Sequence, residues 1–308
     1  MNKFDSIRPY KDDEVKSVLS NLCNDSNIVK AFISLNKTRA FNYLPFKHFL
    51  ITFYLKNKVK KVNSIKEYQD IFEAIVSDVV KTSINNFTVS GLENIHSDKS
   101  YLFISNHRDI TLDSALLNLT LHQNGFKTTN NAVGNNLLEE KWASDLMRLN
   151  KSFIIDRSDK SKKDIYKSLQ LASEFIFNSI INENNSIWIA QKQGRSKDGL
   201  DYTDPSVLKM IHLNSRKLSS IDDYFNKLSV VPVSISYEKD PNDILKAKEL
   251  YLTSLNNTYQ KEKNEDLQSI SDGITGQKGD VHLSIGSEMT FEDTNYNEVA
   301  DAISEKIK

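Results

Sequence analysis

Cysteine is nearly absent from this sequence, and long apolar runs are missing altogether. The 308 residues include one cysteine, Cys23, so no disulfide can form within the chain, and a reducing, cytoplasmic compartment is favoured. No stretch of about 18 uncharged apolar residues occurs, so we expect no membrane-spanning helix. The N-terminal segment also lacks an apolar stretch, and we expect no secretory signal.

An excess of charge of one sign is missing as well. The 40 basic and 41 acidic side chains leave a formal net charge of −1, so no general attraction to nucleic acid is expected. The histidines are dispersed without metal-ligand spacing, and the sequence contains neither a Gly-x-Ser-x-Gly elbow nor a glycine-rich nucleotide loop. These absences argue against a metal enzyme, a serine hydrolase and a nucleotide-binding loop.

Residues 1–85 are predicted to be helical. Residues 43–55 contain four apolar side chains spaced i, i+3, i+4 and i+7 on one helical face, namely Phe46, Phe49, Leu50 and Phe53. Four lysines follow this stretch, namely Lys56, Lys58, Lys60 and Lys61. The face belongs either to a core helix followed by a solvated basic stretch, or to a helix that lies in a lipid headgroup layer.

From about residue 87 onward, short runs typical of β-strands alternate with helical segments. The strand-like runs are residues 87–91, 101–105, 151–157, 186–190, 230–237 and 281–286. Strands separated by helices of about 12–20 residues predict an α/β fold with a mixed, largely parallel central sheet flanked by helices. We therefore predict two domains, an N-terminal helical region of residues 1–85 and an α/β domain of residues 86–308.

Two segments between the strands carry further predictions. Ser161 is expected to cap a helix over roughly residues 162–182. Residues 255–275 are polar and weakly periodic, which is typical of a surface excursion.

His107 is the strongest candidate for a catalytic residue. It follows an apolar strand in a polar Asn-His-Arg-Asp turn, and functional groups of open α/β sheets lie beyond the carboxyl ends of the strands. A histidine held by a carboxylate keeps its other nitrogen free to accept a proton, and Asp109 and Asp113 are close in sequence. Either aspartate is equally suited to cap the following helix, with His107 an ordinary loop residue.

A second polar cluster, Lys-Gln-Gly-Arg-Ser-Lys at residues 192–197, also follows a strand. Its cations and its glycine suit a phosphate group, because glycine lets the backbone approach a ligand closely. Arg157 ends another strand and is a candidate third member. The alternatives are a solvated basic loop and, for Arg157, a surface ion pair with Asp156 or Asp159.

The order of these motifs resembles the glycerophospholipid acyltransferase family, which includes glycerol-3-phosphate and lysophosphatidate acyltransferases. The matching segments are NHRDITLD (106–113), FIIDR (153–157), QKQGRS (191–196) and VVPVSIS (230–236), the last containing Pro232. They look like the family's His–Asp block, its strand ending in arginine, its Glu-Gly-Thr-Arg-Ser block and its strand with a proline. The segments NHRDI (106–110), WIAQ (188–191) and YEKDP (237–241) also resemble a bacterial acyltransferase-like subgroup.

Two positions depart from the family's pattern. Five residues rather than four separate His107 from Asp113, so the base is paired either with Asp113 across a longer turn or with Asp109. Asp113 is favoured, because it opens the following helix as the family's aspartate does. Gln193 stands where the family has glutamate, which keeps the hydrogen bonding but removes the charge, and this leaves the acceptor open.

The resemblance implies direct transfer of a fatty acyl group from acyl-CoA or acyl-carrier protein to a hydroxyl of glycerol-3-phosphate or lysophosphatidate, without a further cofactor. In that mechanism His107 is the general base, and Asp113 or Asp109 orients it. The implied substrate-binding residues are Arg108, Arg157, Lys192, Gln193, Gly194, Arg195, Ser196 and Pro232, with Lys197 as an alternative to Lys192. Lipid substrates further imply a peripheral position on the cytoplasmic face of a membrane.

Three rival functions share this fold. The first is O-acylation of an amino-acid-containing lipid, which Gln193 keeps open. The second is a non-catalytic lipid-binding protein, which the altered His–Asp spacing favours slightly. The third is a thioesterase that transfers the acyl group to water.

Overall fold

The structure is a computed structural model that describes residues 2–35, 47–135, 140–157, 161–262 and 265–308. Phe46 and Asp159 lie outside the described residues. The described helices are α1 (Asp12–Asn24), α2 (Ser26–Leu35), α3 (Lys47–Val59), α4 (Ile65–Ser83), α5 (Leu112–Gln123), α6 (Lys141–Leu149), α7 (Lys162–Ile181), α8 (Pro205–Ile211), α9 (Ile221–Leu228), α10 (Asp243–Asn256), α11 (Glu265–Thr275) and α12 (Tyr296–Ile307). Within the described ranges, no helix combines the length and the apolar character that crossing a membrane requires.

Seven strands are described, together with a short 3₁₀ helix at Leu92–Asn94. The strands are β1 (Phe87–Ser90), β2 (Leu102–Ser105), β3 (Asn130–Gly134), β4 (Ser152–Ile155), β5 (Ile187–Ala190), β6 (Val230–Tyr237) and β7 (Val281–Ile285). The chain divides into two compact units. Unit 1 comprises Met1–Phe72 and Val133–Ile154, and unit 2 comprises Glu73–Ala132 and Ile155–Lys308. The domain boundary expected at residue 85 stays a prediction.

Unit 1 is organised around an apolar cluster of helices. In α1 the buried side chains recur at i, i+3, i+4 and i+7, which gives the helix one stripe for the core. The buried members of the cluster are Val15, Val18, Leu19, Leu22, Cys23, Ile28, Val29, Ile51, Leu55, Val62 and Leu149. Hydrophobic burial of this stripe accounts for the predicted helical character of the N-terminal region.

Helix α3 does not bury the aromatic face that the sequence pattern defines. Ile51 and Leu55 are buried in the cluster of unit 1, whereas Phe49 is 68% exposed and Phe53 is 59% exposed. Residues two apart on a helix point about 200° away from each other, so α3 cannot bury both sets against one core. Of the two interpretations of this face, the core helix is therefore wrong for Phe49, Leu50 and Phe53.

The central sheet has the strand order β1-β7-β6-β2-β5-β3-β4. The pairs β1/β7, β2/β6, β2/β5 and β3/β5 are parallel, and β6/β7 is antiparallel. This confirms the mixed, largely parallel sheet. The predicted cap is also confirmed, because Ser161 Oγ accepts the backbone N–H of Asp164 at the start of α7.

Strand β3 was not expected from the sequence, because its first residues are polar. Asn131 is nevertheless buried, and its Oδ1 accepts hydrogen bonds from Asn118 Nδ2 (3.1 Å) and Thr129 Oγ1 (2.8 Å). Hydrogen bonds of this kind offset the cost of removing an amide from water. Alternation of apolar residues does not reveal a strand that is buried in this way.

The register of the sheet determines what lies beyond its carboxyl edge. Ser105, the last residue of β2, is aligned with Ala190 of β5 on one side and with Val233 of β6 on the other. Because these strands are parallel, the segments after Ser105 and Ala190 begin at the same edge of the sheet. Strand β6 continues past this level to Tyr237.

Candidate active site

Asn106 fixes the start of the turn that follows β2. Its side chain is buried, its Oδ1 accepts the backbone N–H of Ile235 (2.9 Å), and its Nδ2 donates to the carbonyl of Ile235 (3.0 Å). The amide thus continues the pairing of β2 with β6 by one residue. The segment from Asn106 to Asp113, here called the base turn, begins from this fixed point.

His107 contacts Asp113 and not Asp109. The Nδ1 of His107 lies 2.8 Å from Oδ2 of Asp113, and its Nε2 has no hydrogen-bond partner among the residues that the structure describes. The imidazole ring stands edge to face against Trp188, with 5.8 Å between ring centroids, and its side chain is 16% exposed. The ring is therefore held at Nδ1 and accessible at Nε2.

The extra residue between His107 and Asp113 is accommodated by the backbone of the turn. Asp113 is fully buried in the first turn of α5, and its Oδ2 also accepts the backbone N–H groups of Arg108 (2.6 Å) and Asp109 (3.0 Å). The base turn therefore wraps around this carboxylate, so that His107 and Asp113 meet although they cannot share a helical face.

Asp109 has a different position. Its Oδ1 accepts the backbone N–H groups of Thr111 (2.9 Å) and Leu112 (2.8 Å), which caps the start of α5. Burial, followed by the nearby charge of Asp113, raises the pKa of this carboxyl group. Helix α11 approaches it closely, since a Cβ on Gly273 would lie 2.1 Å from its Oδ2. Of the two candidate aspartates, Asp113 contacts His107, and Asp109 binds backbone N–H groups at the start of α5.

Arg108 is held by an acidic partner beside the turn. Its Nη2 donates to Oδ2 of Asp201 (2.5 Å) and to the carbonyl of Gly199 (3.2 Å). Lys246 of α10, which is buried, donates to the backbone carbonyl of Arg108 and also contacts the carboxylate of Asp240. These contacts support the base turn from the side of Arg108.

The segment after β5, residues 191–197, is called the basic loop. It is connected to the base turn through the backbone, because Gln191 N–H donates to the carbonyl of Ser105 (2.7 Å) and Ser196 N–H to that of His107 (2.7 Å). Gly194 adopts a φ of 76° that favours glycine, and space around its α-carbon is open. The structure thus brings the basic loop next to His107.

The amide of Gln193 contacts Arg157, which follows strand β4. The Nη1 of Arg157 donates to Oε1 of Gln193 over 2.6 Å. Burial lowers the pKa of the Arg157 guanidinium, and the charge of Asp204 opposes that effect. Position 193 therefore orients Arg157 through a neutral group.

Three further residues that were predicted to bind substrate, Lys192, Lys197 and Pro232, have different surroundings. Lys192 Nζ donates to the carbonyl of Leu200 (3.0 Å) and lies 4.1 Å from the ring centre of Tyr202. Lys197 forms an ion pair with Glu249 of α10. Pro232 is inside β6, aligned with Ile104, and therefore lies within the sheet and not beyond its edge.

Arg195 points toward helix α11. Its Nη2 donates to Ser269 Oγ (3.2 Å), while its Nη1 is buried without a hydrogen-bond partner in the described part of the chain. Residues 255–275, expected to form a surface excursion, therefore include a helix, α11, that contacts Arg195. Ser269 and Gly273 carried no signal in the sequence, because their segment is polar and weakly periodic.

Tyr237, the last residue of β6, was also missed by sequence reasoning. Its hydroxyl donates to Oδ1 of Asp113 over 2.8 Å. Burial, then the charges of Asp113 and Asp109, raises the pKa of this phenol well above its usual range. The residue ends a predicted strand, but no pattern in the strand indicates that it reaches Asp113.

Comparisons with known proteins place this geometry in context. The family model described as Acyltransferase matches residues 86–236, about half of the chain. The structure is similar to the crystal structure of the 1-acyl-sn-glycerophosphate (LPA) acyltransferase PlsC from Thermotoga maritima, at 14% identity and a TM-score of 0.44, covering 96% of this chain and 94% of that one.

A second similar structure is the signal recognition particle receptor FtsY from Elizabethkingia anophelis in complex with GDP. It is 13% identical with a TM-score of 0.28, covering 96% of this chain and 92% of that one. At such low TM-scores, neither structure bears on the activity of this chain. A comparison with curated proteins gives no match.

Proposed function

The chain belongs to the Acyltransferase family through residues 86–236, and on that premise we propose that it transfers a fatty acyl group from an acyl thioester to a hydroxyl of a phosphate-bearing glycerolipid acceptor. The observation that carries the proposal is the pair formed by His107 Nδ1 and Asp113 Oδ2 at 2.8 Å. A histidine held in this way on one nitrogen is arranged to work as a base on the other.

In the proposed reaction, Nε2 of His107 removes the proton from the acceptor hydroxyl as the oxygen attacks the thioester carbonyl. The resulting tetrahedral intermediate breaks its carbon–sulfur bond, and the thiol leaves with the proton that His107 returns. Asp113 holds the proton on Nδ1 and stabilises the imidazolium that forms. A positioned general base typically accelerates a reaction about 10²- to 10⁴-fold.

The proposed acceptor is glycerol-3-phosphate or lysophosphatidate, with acyl-CoA or acyl-carrier protein as donor. Arg157 would bind the phosphate of such an acceptor, with its guanidinium oriented by the amide oxygen of Gln193. Guanidinium groups bind phosphate oxygens through charge-assisted hydrogen bonds. Gly194 would allow the phosphate to approach the backbone of the basic loop closely.

Peripheral attachment to the cytoplasmic face of a membrane is part of the same proposal. In α3 the exposed side chains include Phe49 (68%) and Phe53 (59%), and exposed lysines follow at the end of the helix. Aromatic side chains beside lysines suit the boundary between acyl chains and anionic headgroups. Replacing both phenylalanines with serine should reduce co-sedimentation with anionic phospholipid vesicles. Unchanged co-sedimentation of this variant would remove this face from the proposal.

An acceptor screen tests the reaction. Purified protein and a labelled palmitoyl thioester are incubated with glycerol-3-phosphate, lysophosphatidate, an acyl-amino-acid lipid, or no acceptor. We expect labelled glycerolipid, and none with His107→Ala. If only the amino-acid lipid is labelled, that lipid is the acceptor in place of the glycerolipid. Release of free fatty acid without an acceptor would indicate a thioesterase. Vesicle binding without thioester consumption would indicate a non-catalytic protein.

A further inference from the structure

The carboxylate of Asp113 has two oxygens with very different surroundings. Its Oδ2 accepts from His107 Nδ1, from the N–H of Arg108 and from the N–H of Asp109, at 2.6–3.0 Å. Its Oδ1 accepts from the hydroxyl of Tyr237 at 2.8 Å. The side chain of Asp113 is 1% exposed, so bulk solvent has little access to Oδ1.

Tyr237 is well placed to fix the orientation of this carboxylate. Its backbone is aligned with Val281 in the antiparallel pairing of β6 with β7, so the sheet holds the base of the side chain. Its phenol keeps its proton, because burial and the neighbouring carboxylates raise its pKa well above the usual range, and it therefore acts as a donor. A donor to a buried carboxylate oxygen is among the stronger hydrogen bonds in a protein.

We propose that Tyr237 is a positioning residue that acts on His107 through Asp113. Its hydroxyl fixes Oδ1, which keeps Oδ2 in line with the Nδ1–H of His107 and leaves Nε2 as the accepting nitrogen. Tyr237 lies one residue beyond the segment that matches the family model. The kinetic test of this inference rests on the proposed function. The orientation of the His107 ring does not, because it can be measured in the protein without substrate.

The main variant is Tyr237→Phe, which removes the hydroxyl and keeps the ring. We expect kcat for acyl transfer from palmitoyl-CoA to lysophosphatidate to fall roughly 10-fold, in line with one lost hydrogen bond to a charged group, while the KM of both substrates stays unchanged. A change in KM without a change in kcat would overturn a role through the base.

Tyr224→Phe is the matched control. The Tyr224 hydroxyl is also buried and donates to the carbonyl of Ile211 (2.8 Å), but it makes no contact with the base turn. Both variants lose one buried hydroxyl and are expected to have a lower Tm than the wild type, but only Tyr237→Phe is expected to lose kcat. Equal losses of kcat in both would show that Tyr237 has a merely structural role.

The second measurement needs no substrate. In ¹⁵N-histidine-labelled protein, the two ring nitrogens of His107, assigned with His107→Gln, report which nitrogen carries the proton when the ring is neutral. We expect the proton on Nδ1 in the wild-type, Tyr224→Phe and Tyr237→Phe proteins, with the Nδ1–H resonance displaced only in Tyr237→Phe because its hydrogen bond to Oδ2 is no longer in line. An unchanged ring spectrum in Tyr237→Phe would overturn the inference, whereas acyl transfer absent from every protein, with the ring spectra as expected, would overturn only the proposed function.

Discussion

The base turn and the basic loop start from neighbouring strands of one sheet, yet they differ in how much of each is exposed. In the base turn, Asn106, Asp109 and Asp113 are buried and each accepts backbone N–H groups. In the basic loop, Gln191 and Ser196 are buried as well, but Gln193 and Gly194 between them are exposed. Under the proposed function, the buried base turn would carry the proton transfer and the exposed part of the basic loop would bind the acceptor.

The same contrast explains how the two segments tolerate their departures from the family pattern. The extra residue before Asp113 is absorbed because two backbone N–H groups turn toward the carboxylate. The neutral Gln193 is tolerated because its oxygen still accepts from Arg157. Changes in the base turn should therefore affect the chemical step, and changes in the basic loop should affect acceptor binding.

Among substitutions in the two segments that leave His107 in place, Asp113→Asn should have the largest effect. The backbone N–H groups at Oδ2 and the Tyr237 hydroxyl at Oδ1 together hold the amide in the place of the carboxylate, so the geometry persists while the negative charge that stabilises the imidazolium is lost. We expect kcat to fall roughly 10²-fold or more with little change in acceptor KM. Steady-state kinetics measures this, and a variant with raised KM and normal kcat would break the contrast between the two segments.

Gln193→Glu should have a smaller effect of the opposite kind. A carboxylate at this position would pair with Arg157 and compete with the acceptor's phosphate. We expect the acceptor KM to rise roughly 2- to 5-fold at unchanged kcat, since exposed ion pairs are weak. The increase should shrink at high salt, because exposed charges are screened.

Gln193→Ala serves as the control for that comparison. It removes the hydrogen bond to Arg157 without adding charge, so its effect on KM should not depend on salt. An acceptor KM that is the same in Gln193→Glu and wild-type protein at low salt would remove position 193 from acceptor binding.

Asp109→Asn should have the smallest effect of the three substitutions, and the effect should be on thermal stability. The raised pKa of Asp109 means that its ionised form is less favourable in the folded than in the unfolded protein. Its contribution to stability is therefore fully present below the unfolded pKa and is lost as the pH rises through the folded pKa. The asparagine keeps the oxygen that caps α5, so Tm should rise by roughly 2–4 °C at neutral pH, about 1 kcal/mol, with no gain under acidic conditions.

Calorimetry at several pH values checks the sign of that effect. A gain that is independent of pH would show that the carboxyl group of Asp109 is not the source. A loss of stability at neutral pH would contradict the burial of an unfavourable charge there.

The sequence was sufficient for the features that depend on local patterns and chain order. The strands that flank His107, the cap at Ser161 and the position of the basic loop follow from short-range signals. Contacts from distant segments could not be predicted. Tyr237 lies 124 residues from Asp113, and Ser269 lies 74 residues from Arg195.

Periodicity alone also failed to choose between two apolar faces of α3. Phe49 and Ile51 are both large and apolar, and only the packing of unit 1 decides that Ile51 is buried and Phe49 exposed. The His107–Asp113 pair had a similar ambiguity, because spacing left Asp109 as an alternative. It was resolved by the backbone hydrogen bonds of the turn, which no side-chain pattern encodes.

The central claim is that His107 is the base of an acyltransferase, and His107→Ala tests it most directly. Transfer of a labelled palmitoyl group to lysophosphatidate is measured for the variant and for the wild-type protein, with thermal unfolding of both as the check on folding. We predict that transfer falls to background in the variant while its Tm stays close to that of the wild type. Full transfer by folded His107→Ala protein would contradict the mechanism.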